Sequence, residues 1–255
     1  MTEPRILLLD IETAPNIGYT WGKWEQNVIE FTQDWYLLAI GWKWLDEKKV
    51  HVLGLDDNKK KYTPGSPDDS FLVKKLYELF CEADVIIAHN GDQFDIKKST
   101  TKFLAAGYQP PSPYKTVDTK KVAKRYFKFD SNKLDELGKY LGLGRKLVHT
   151  GFDLWKGCMA GNAKSWAQMK KYNKQDVLLL ESVYLKLRAW HVTHPSRGVY
   201  DNAAGRCPHC AGMNVLKRGV RVVAKRVRQS LQCKDCSAAG RPAWFSGALV
   251  AAPDA

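Results

Sequence analysis

No apolar run in these 255 residues approaches the length of a membrane span. The longest, Trp35 to Ile40, has six residues, against the ~18 or more that a bilayer requires. The first apolar stretch, Ile6 to Leu9, stops at Asp10 after four residues, too short for the core of a secretion signal. A cytoplasmic protein without membrane attachment is the expectation. Cysteine is scarce, six in all, which excludes a disulfide-stapled mini-protein. Nothing in the composition suggests collagen or wholesale disorder. The 44% hydrophobic and 26% charged residues are ordinary for a globular chain. The length allows one medium domain with its own core plus something small.

Acid is in short supply relative to base: 27 Asp and Glu against 40 Lys and Arg, a net charge of +13. The imbalance is uneven. Residues 196–255 hold ten basic and three acidic residues, a net +7. A chain so biased suits a polyanionic partner, most simply nucleic acid. The alternative is a basic surface that only confers solubility.

Four of the six cysteines form two Cys-x-x-Cys pairs, Cys207 with Cys210 and Cys233 with Cys236. Without a secretion signal, metal binding is favoured over disulfides. Cys81 and Cys158 are isolated and read as small packing residues.

Hydrophobic patterning places strands at Arg5–Asp10, Trp35–Trp44, Lys49–Leu55, Val85–Ala88 and Lys115–Asp118. Helices are expected over Asp68–Ala83, Phe94–Ala106, Thr119–Tyr126, Lys133–Leu141 and Ala163–Trp190. The order β-β-β-α-β-α-β-α predicts an α/β domain with a mixed sheet. Pro195-Ser196-Arg197-Gly198 reads as a linker, dividing the chain into residues 1–195 and 196–255. The second part holds the two cysteine pairs around a β-rich stretch, Val215 to Leu231.

The acids of the first part are distributed suggestively. Asp10 and Glu12 close the first strand in the string Asp-Ile-Glu-Thr, and residues two apart on a strand point the same way. Two carboxylates on one side repel each other unless a cation separates them. Asp95 opens the helix after the apolar strand Val85–Ala88, at a strand's carboxyl end, where α/β sheets place ligands. A helix cap is its other reading. Tyr172 and Asp176 are four apart and share a helix face with Leu180, Val183 and Leu187. Carboxylates from two strand ends and one helix can converge on a pair of divalent ions, magnesium or manganese for an all-oxygen site.

These residues resemble the 3′–5′ exonucleases of the DEDD type, in the ribonuclease H-like superfamily that includes the proofreading domains of polymerases. The first family motif matches Asp10-Ile11-Glu12-Thr13, the second Asn90 to Asp95, and the third, Tyr-x-x-x-Asp, Tyr172 to Asp176. Tyrosine in the third motif is similar to the tyrosine subclass. The resemblance covers about residues 4–190 and implies a ribonuclease H-like mixed sheet flanked by helices. It also implies roles. Asp10, Glu12 and Asp176 would hold the metal that carries the attacking water. Asp10 would bridge to a second metal supported by Asp95, Tyr172 would orient the water, and Asn90 would orient neighbouring groups or substrate. The implied partner is nucleic acid, DNA with a 3′ end first.

Several further residues have two readings each. Asp118 is a supporting acid or a helix cap. Trp21 and Trp24, after the first motif, stack on terminal bases or pack internally. Lys120, Lys121, Lys124, Arg125 and Lys128, interleaved with Tyr126, Phe127 and Phe129, form a strand-binding patch or a solvated helix face. The two cysteine pairs resemble a zinc ribbon, with one structural Zn2+ on Cys207, Cys210, Cys233 and Cys236. Arg218, Arg221, Lys225, Arg226 and Arg228 on its hairpin favour nucleic acid as the ribbon's partner, with protein docking as the alternative. A structure-specific endonuclease, an RNA-trimming nuclease and a DNA-binding protein with a vestigial site are the other functions the motifs leave open.

Overall fold

The computed structural model describes residues 4–24, 27–59, 62–191, 194–195, 206–207, 210–223, 226–235 and 243–246. Among them, no helix is long and apolar enough to cross a membrane. Five strands build the central sheet: β1 (Ile6–Thr13), β4 (Leu37–Trp44), β5 (His51–Gly54), β6 (Val85–Ala88) and β7 (Lys115–Asp118). A small hairpin, β2 (Ile17–Tyr19) and β3 (Glu30–Gln33), separates β1 from β4. The sheet order is β5-β4-β1-β6-β7. β1 runs antiparallel to β4 and parallel to β6. The sheet is therefore mixed, as expected.

Helices cover both faces: α1 (Ser70–Glu82), α2 (Asp95–Ala105), α3 (Thr119–Tyr126), α4 (Leu134–Tyr140), α5 (Phe152–Met159) and α6 (Ala163–Leu187). Alternation along β1 decides what each face receives. Leu7, Leu9 and Ile11 join a core with Leu72, Leu76, Phe80 and Phe103 of α1 and α2. Ile6 and Leu8 point the other way, into a core with Val177, Leu180 and Val183 of α6. Asp10 and Glu12 continue that second series, so the period of two sends both carboxylates toward α6. Full burial of one Val or Leu side chain stabilises by ~1.5–3 kcal/mol, and the many such residues on both faces fix the register.

Polar contacts then seat α6. β4 is buried along its whole length, Lys43 included, and Lys43 pairs with Glu181 of α6. Gly41 lies opposite Asp10 in the β1–β4 register. A Cβ there would fall 2.2 Å from Asn173 Oδ1, so glycine permits the close approach of α6 to the sheet.

Several elements differ from the sequence reading. β1 runs on to Thr13, so Asp10 and Glu12 lie inside the strand, with a register shift only between Glu12 and Thr13. The strand expected at Trp35–Trp44 begins at Leu37, and that at Lys49–Leu55 shrinks to His51–Gly54. The last helix ends at Leu187, followed by a 3-10 turn at Arg188–Trp190. The β2–β3 hairpin and α5 were not anticipated. The hairpin strands are three and four residues long. In α5 only Leu154 and Cys158 are buried, and Gly157 sits against Ser165 Oγ with no room for a Cβ. Beyond the 3-10 turn, β8 (Val215–Val223), β9 (Arg226–Cys233) and β10 (Ala243–Ser246) form an antiparallel sheet in the order β10-β9-β8.

Candidate active site

The fold brings Asp10 and Glu12 from β1 to Asp176 from α6. One ligand oxygen from each lies within 4.8 Å of the others. Asp95, first residue of α2 and buried, stands beside them. Its Oδ1 accepts a hydrogen bond from the Ile11 N–H at 3.1 Å, between the two β1 acids. Phe94, not Asp95, occupies the cap position of α2.

This grouping is electrostatically expensive. Burial, then Glu12, Asp176 and Asp95, push the Asp10 carboxyl well above its usual range. Burial followed by Asp176 pushes Glu12 up to about 8. Burial pushes Asp95 up to about 7, against the hydrogen bond from Ile11. Asp176 is raised too, chiefly by burial, although Lys146 works against the shift. Among the described residues, four acids thus face one nearby ammonium, Lys146.

That ammonium was not singled out in the sequence. Lys146 sits in the connection between α4 and α5, 30 residues before Asp176, with no helical or strand periodicity to mark it. Its Nζ donates to Asp176 Oδ2 and, at 3.0 Å, to the Tyr172 hydroxyl oxygen. Burial opposes the charge on Lys146, but Asp176 and Tyr172 more than offset it and raise its pKa. Asn173 also escaped notice, although it lies inside the third motif. Its Nδ2 donates to Asp10 Oδ2 at 2.6 Å and to the Asp10 carbonyl at 3.2 Å. Burial and Asp176 hold the Tyr172 hydroxyl above its ordinary value. The phenol is therefore protonated at neutral pH. The His149 ring meets that of Tyr172 edge-on at 4.8 Å.

The donor set fits divalent ions. Every donor is a carboxylate oxygen, the acids outnumber the cations, and Asp176 Oδ1 is buried without a hydrogen-bond partner. A buried acceptor left unmet costs ~1–3 kcal/mol or more for a charged group, so a cation at this oxygen supplies what the protein does not.

An open cavity of about 540 Å3 adjoins the acids, lined by Thr13, Asn16, Trp35, Lys98, His149, Phe152 and Trp155 among others. Lys98 Nζ lies 3.6 Å from the Trp35 ring centroid. Trp21 and Trp24 are 85% and 87% exposed between β2 and β3, which rules out internal packing. Asn90 adopts a left-handed φ of 67°. Its N–H donates to Asp118 Oδ1, and its own Oδ1 accepts from Lys120 Nζ at 3.2 Å. Asp118 also caps α3 by accepting from the N–H groups of Lys120 and Lys121, so the capping reading holds. Lys121 pairs with Asp92. Arg125 is exposed on the last turn of α3, its guanidinium over the Tyr126 ring and not at the carboxylates.

A second cluster joins Cys207, Cys210 and Cys233, whose sulfurs lie within 4.8 Å of one another. Cys210 and Cys233 Sγ are 3.7 Å apart, far beyond the ~2.05 Å of a disulfide. A tetrahedral zinc with Zn–S bonds of ~2.3 Å has S–S edges of about 3.8 Å. Cys236 and His209 lie outside the described residues, as does Lys225. Arg218, Arg221, Arg226 and Arg228 fall in β8 and β9, but their side chains are outside the description.

No curated protein matches the chain. A family model described as RNase_H superfamily matches residues 37–188. That span contains Asp95, Tyr172 and Asp176 but not Asp10 or Glu12 of β1. Among solved structures, the chain is similar to the family B DNA polymerase from the hyperthermophilic archaeon Pyrobaculum calidifontis, with a TM-score of 0.54 and 16% identity. The likeness covers 74% of this chain and 25% of the polymerase. The chain thus spans about a quarter of that polymerase's length, and at this identity the likeness is one of fold.

Proposed function

The chain belongs to the RNase H superfamily, and on that premise we propose that it is a 3′–5′ exonuclease of the tyrosine DEDD type that releases nucleoside monophosphates from DNA. The observation that carries the reading is the meeting of Asp10, Glu12 and Asp176 oxygens within 4.8 Å, with Tyr172 tied to Asp176 through Lys146.

Asp10, Glu12, Asp95 and Asp176 would hold two Mg2+ or Mn2+ ions. Such ions, when bound, lower the pKa of a water and stabilise the attacking and leaving oxygens of an in-line displacement at phosphorus. The chain's own groups do the positioning. Asn173 fixes the Asp10 carboxylate. Lys146 donates into the Tyr172 oxygen, so the phenol keeps its own proton as a donor, beside Asp176. A protonated phenol orients a water or a phosphate oxygen and does not abstract a proton. The cavity with Thr13 and Trp35 would take the terminal nucleoside. The exposed Trp21 and Trp24 would stack on neighbouring bases, a contact worth ~1–3 kcal/mol per base.

Residues 1–195 would form the nuclease domain and residues 196–255 a zinc ribbon, with Cys236 completing the set of Cys207, Cys210 and Cys233. A closed four-thiolate site has no open position and adds no chemistry. Its arginines, together with the net +7 of this segment, suit phosphate contacts.

Incubation of 5′-labelled DNA and RNA with Mg2+ or Mn2+ tests the proposal. A ladder of products shortened one nucleotide at a time from the 3′ end, absent in Asp10→Ala, supports it. A discrete internal cut points to an endonuclease, and uncut substrate to a binding protein; either sinks the exonuclease reading.

A further inference from the structure

One cavity has no part in that chemistry. At the far end of α6, an apolar groove of about 440 Å3 is lined by Phe127 and Phe129 after α3, Tyr140 at the end of α4, and Trp190 in the 3-10 turn. Its size falls within the ~300–1,000 Å3 of ligand clefts. The four rings form one chain: Phe127 meets Trp190 at 5.4 Å, Phe127 meets Phe129 at 5.3 Å, and Phe129 meets Tyr140 at 5.3 Å. The two outer rings are open to solvent, Tyr140 at 73% and Trp190 at 50% exposed. Large aromatic side chains are normally spent on burial, so two bare rings ending an aromatic row offer faces to something flat.

The charge around the groove says what that is. Among the described residues, Lys128 and Lys186 are its charged lining residues and no carboxylate lines it. Both lysines are exposed. The acids nearby, Asp130 and Glu136, line a separate hollow beyond Phe129 and Tyr140. Aromatic faces bordered by unopposed lysines take a flat ring attached to a phosphate. A hydrophobic peptide would use the rings but not the lysines.

Position links the groove to the catalytic acids. Leu187, buried beneath it, is eleven residues beyond Asp176 on the same helix, about 16 Å at 1.5 Å per residue. That is a span of several nucleotides, too far for the scissile residue itself. On its other side the groove reaches Ala189, which packs against the Cys207–Cys233 cluster.

We propose that this groove is a second nucleic-acid site, where unpaired bases several nucleotides from the cleaved end stack on Tyr140 and Trp190 while Lys128 and Lys186 take the flanking phosphates. The inference rests on nucleic acid being the substrate. It adds an anchor that lets the enzyme hold a strand while its end is removed, and it predicts a dependence on strand length that the carboxylate site alone does not create.

The test is fluorescence anisotropy of labelled oligothymidylates, three and twelve nucleotides long, without added divalent ions. Trp190→Ala and Tyr140→Ala should each weaken binding of the twelve-mer by roughly 5- to 150-fold, the loss of one stacked base, so that the ratio of long to short affinity falls. Trp190→Phe should restore most of that ratio. Lys186→Glu should shallow the slope of log K against log salt by about 0.7 or more. An unchanged ratio in both folded alanine variants overturns the proposal. Should Trp190→Ala fail to fold by circular dichroism, the more exposed Tyr140→Ala decides alone. Hydrolysis of the twelve-mer by the wild-type protein with Mg2+ is scored separately. Cleavage with an unchanged ratio defeats only the groove, and a reduced ratio without cleavage defeats only the nuclease.

Discussion

Replacing Gly41 by alanine should damage the site through a residue that carries no chemistry. On propensity alone the change is favourable, because glycine inside a strand costs roughly 0.5–1 kcal/mol relative to alanine. Gly41 is not among the residues with positive φ, so its backbone suits alanine. Space is the obstacle. The new Cβ would lie 2.2 Å from Asn173 Oδ1, 2.8 Å from Asn173 Cγ and 3.1 Å from Val177 Cγ2. Asn173 must turn away, and in turning it loses the 2.6 Å bond to the Asp10 carboxylate. A hydrogen bond to a charged group contributes ~1.5–3 kcal/mol, and overpacking adds ~1–3 kcal/mol. These exceed the propensity gain, so the net loss should be about 1.5–5.5 kcal/mol. At ~2–4 °C per kcal/mol for a domain of this size, the melting temperature should fall by at least about 3 °C. Hydrolysis should fall further, on the order of 10- to 100-fold, because displacing a reacting group by about 1 Å can cost 10²-fold. The assay is a double-mutant cycle with Asn173→Ala, read by thermal melting and by turnover. Asn173→Ala removes the obstructing side chain, so the second substitution should cost less in that background, with a coupling of ~0.5–3 kcal/mol. Additive losses, or a Gly41→Ala protein as stable and active as wild type, would refute the reasoning.

Tyr172→Phe keeps the ring and loses the hydroxyl that Lys146 reaches. Turnover should drop ~10- to 1000-fold with little change in metal affinity, and unaltered turnover would reduce Tyr172 to packing. Without added metal, stability should decline as pH rises. Carboxyls raised in the folded state contribute most below their unfolded pKa of ~4 and lose that contribution through the folded values, about 7 for Asp95 and about 8 for Glu12. Melting curves from about pH 5 to 9 should show the decline, and saturating Mn2+ should reverse much of it; a flat metal-free profile contradicts the charge crowding. Elemental analysis should find about one zinc per chain, lost in Cys207→Ser because one missing thiolate leaves the tetrahedron incomplete; retention of zinc in that variant would remove Cys207 from the set.

Long-range contact separates what the sequence disclosed from what it hid. The strands of the central sheet and the helices α1, α2, α3, α4 and α6 were legible because each carries its own periodicity. Leu72, Leu76, Leu79 and Phe80 repeat along α1, and Val85 to Ala88 is wholly apolar and wholly buried. The short β2–β3 hairpin and α5, with two buried residues and an internal glycine, give no comparable pattern. Asp10 with Glu12, and Tyr172 with Asp176, share a face by local spacing, Asp95 follows a strand's carboxyl end, and the resemblance of the three motifs singled them out together. Lys146 had no such context. The apolar pair that follows it, Leu147-Val148, is itself exposed, and the importance of Lys146 comes from Asp176 and Tyr172, which only the chain's return along α6 brings within reach. The same holds for Gly41, an unremarked residue in an apolar strand until α6 is laid across it. Each acid alone has an ordinary reading as a solvated end or a cap, and the three motifs together mark the set. The groups that make the cost of burying it bearable are supplied from elsewhere in the fold, while the positions of Asp10 and Glu12 follow from the β1 register. A one-residue slip of β1 against β4 would bury Asp10 and Glu12 on the α1 side and turn Leu9 and Ile11 toward α6. The apolar residues that hold the register therefore position the carboxylates as surely as Asn173 does.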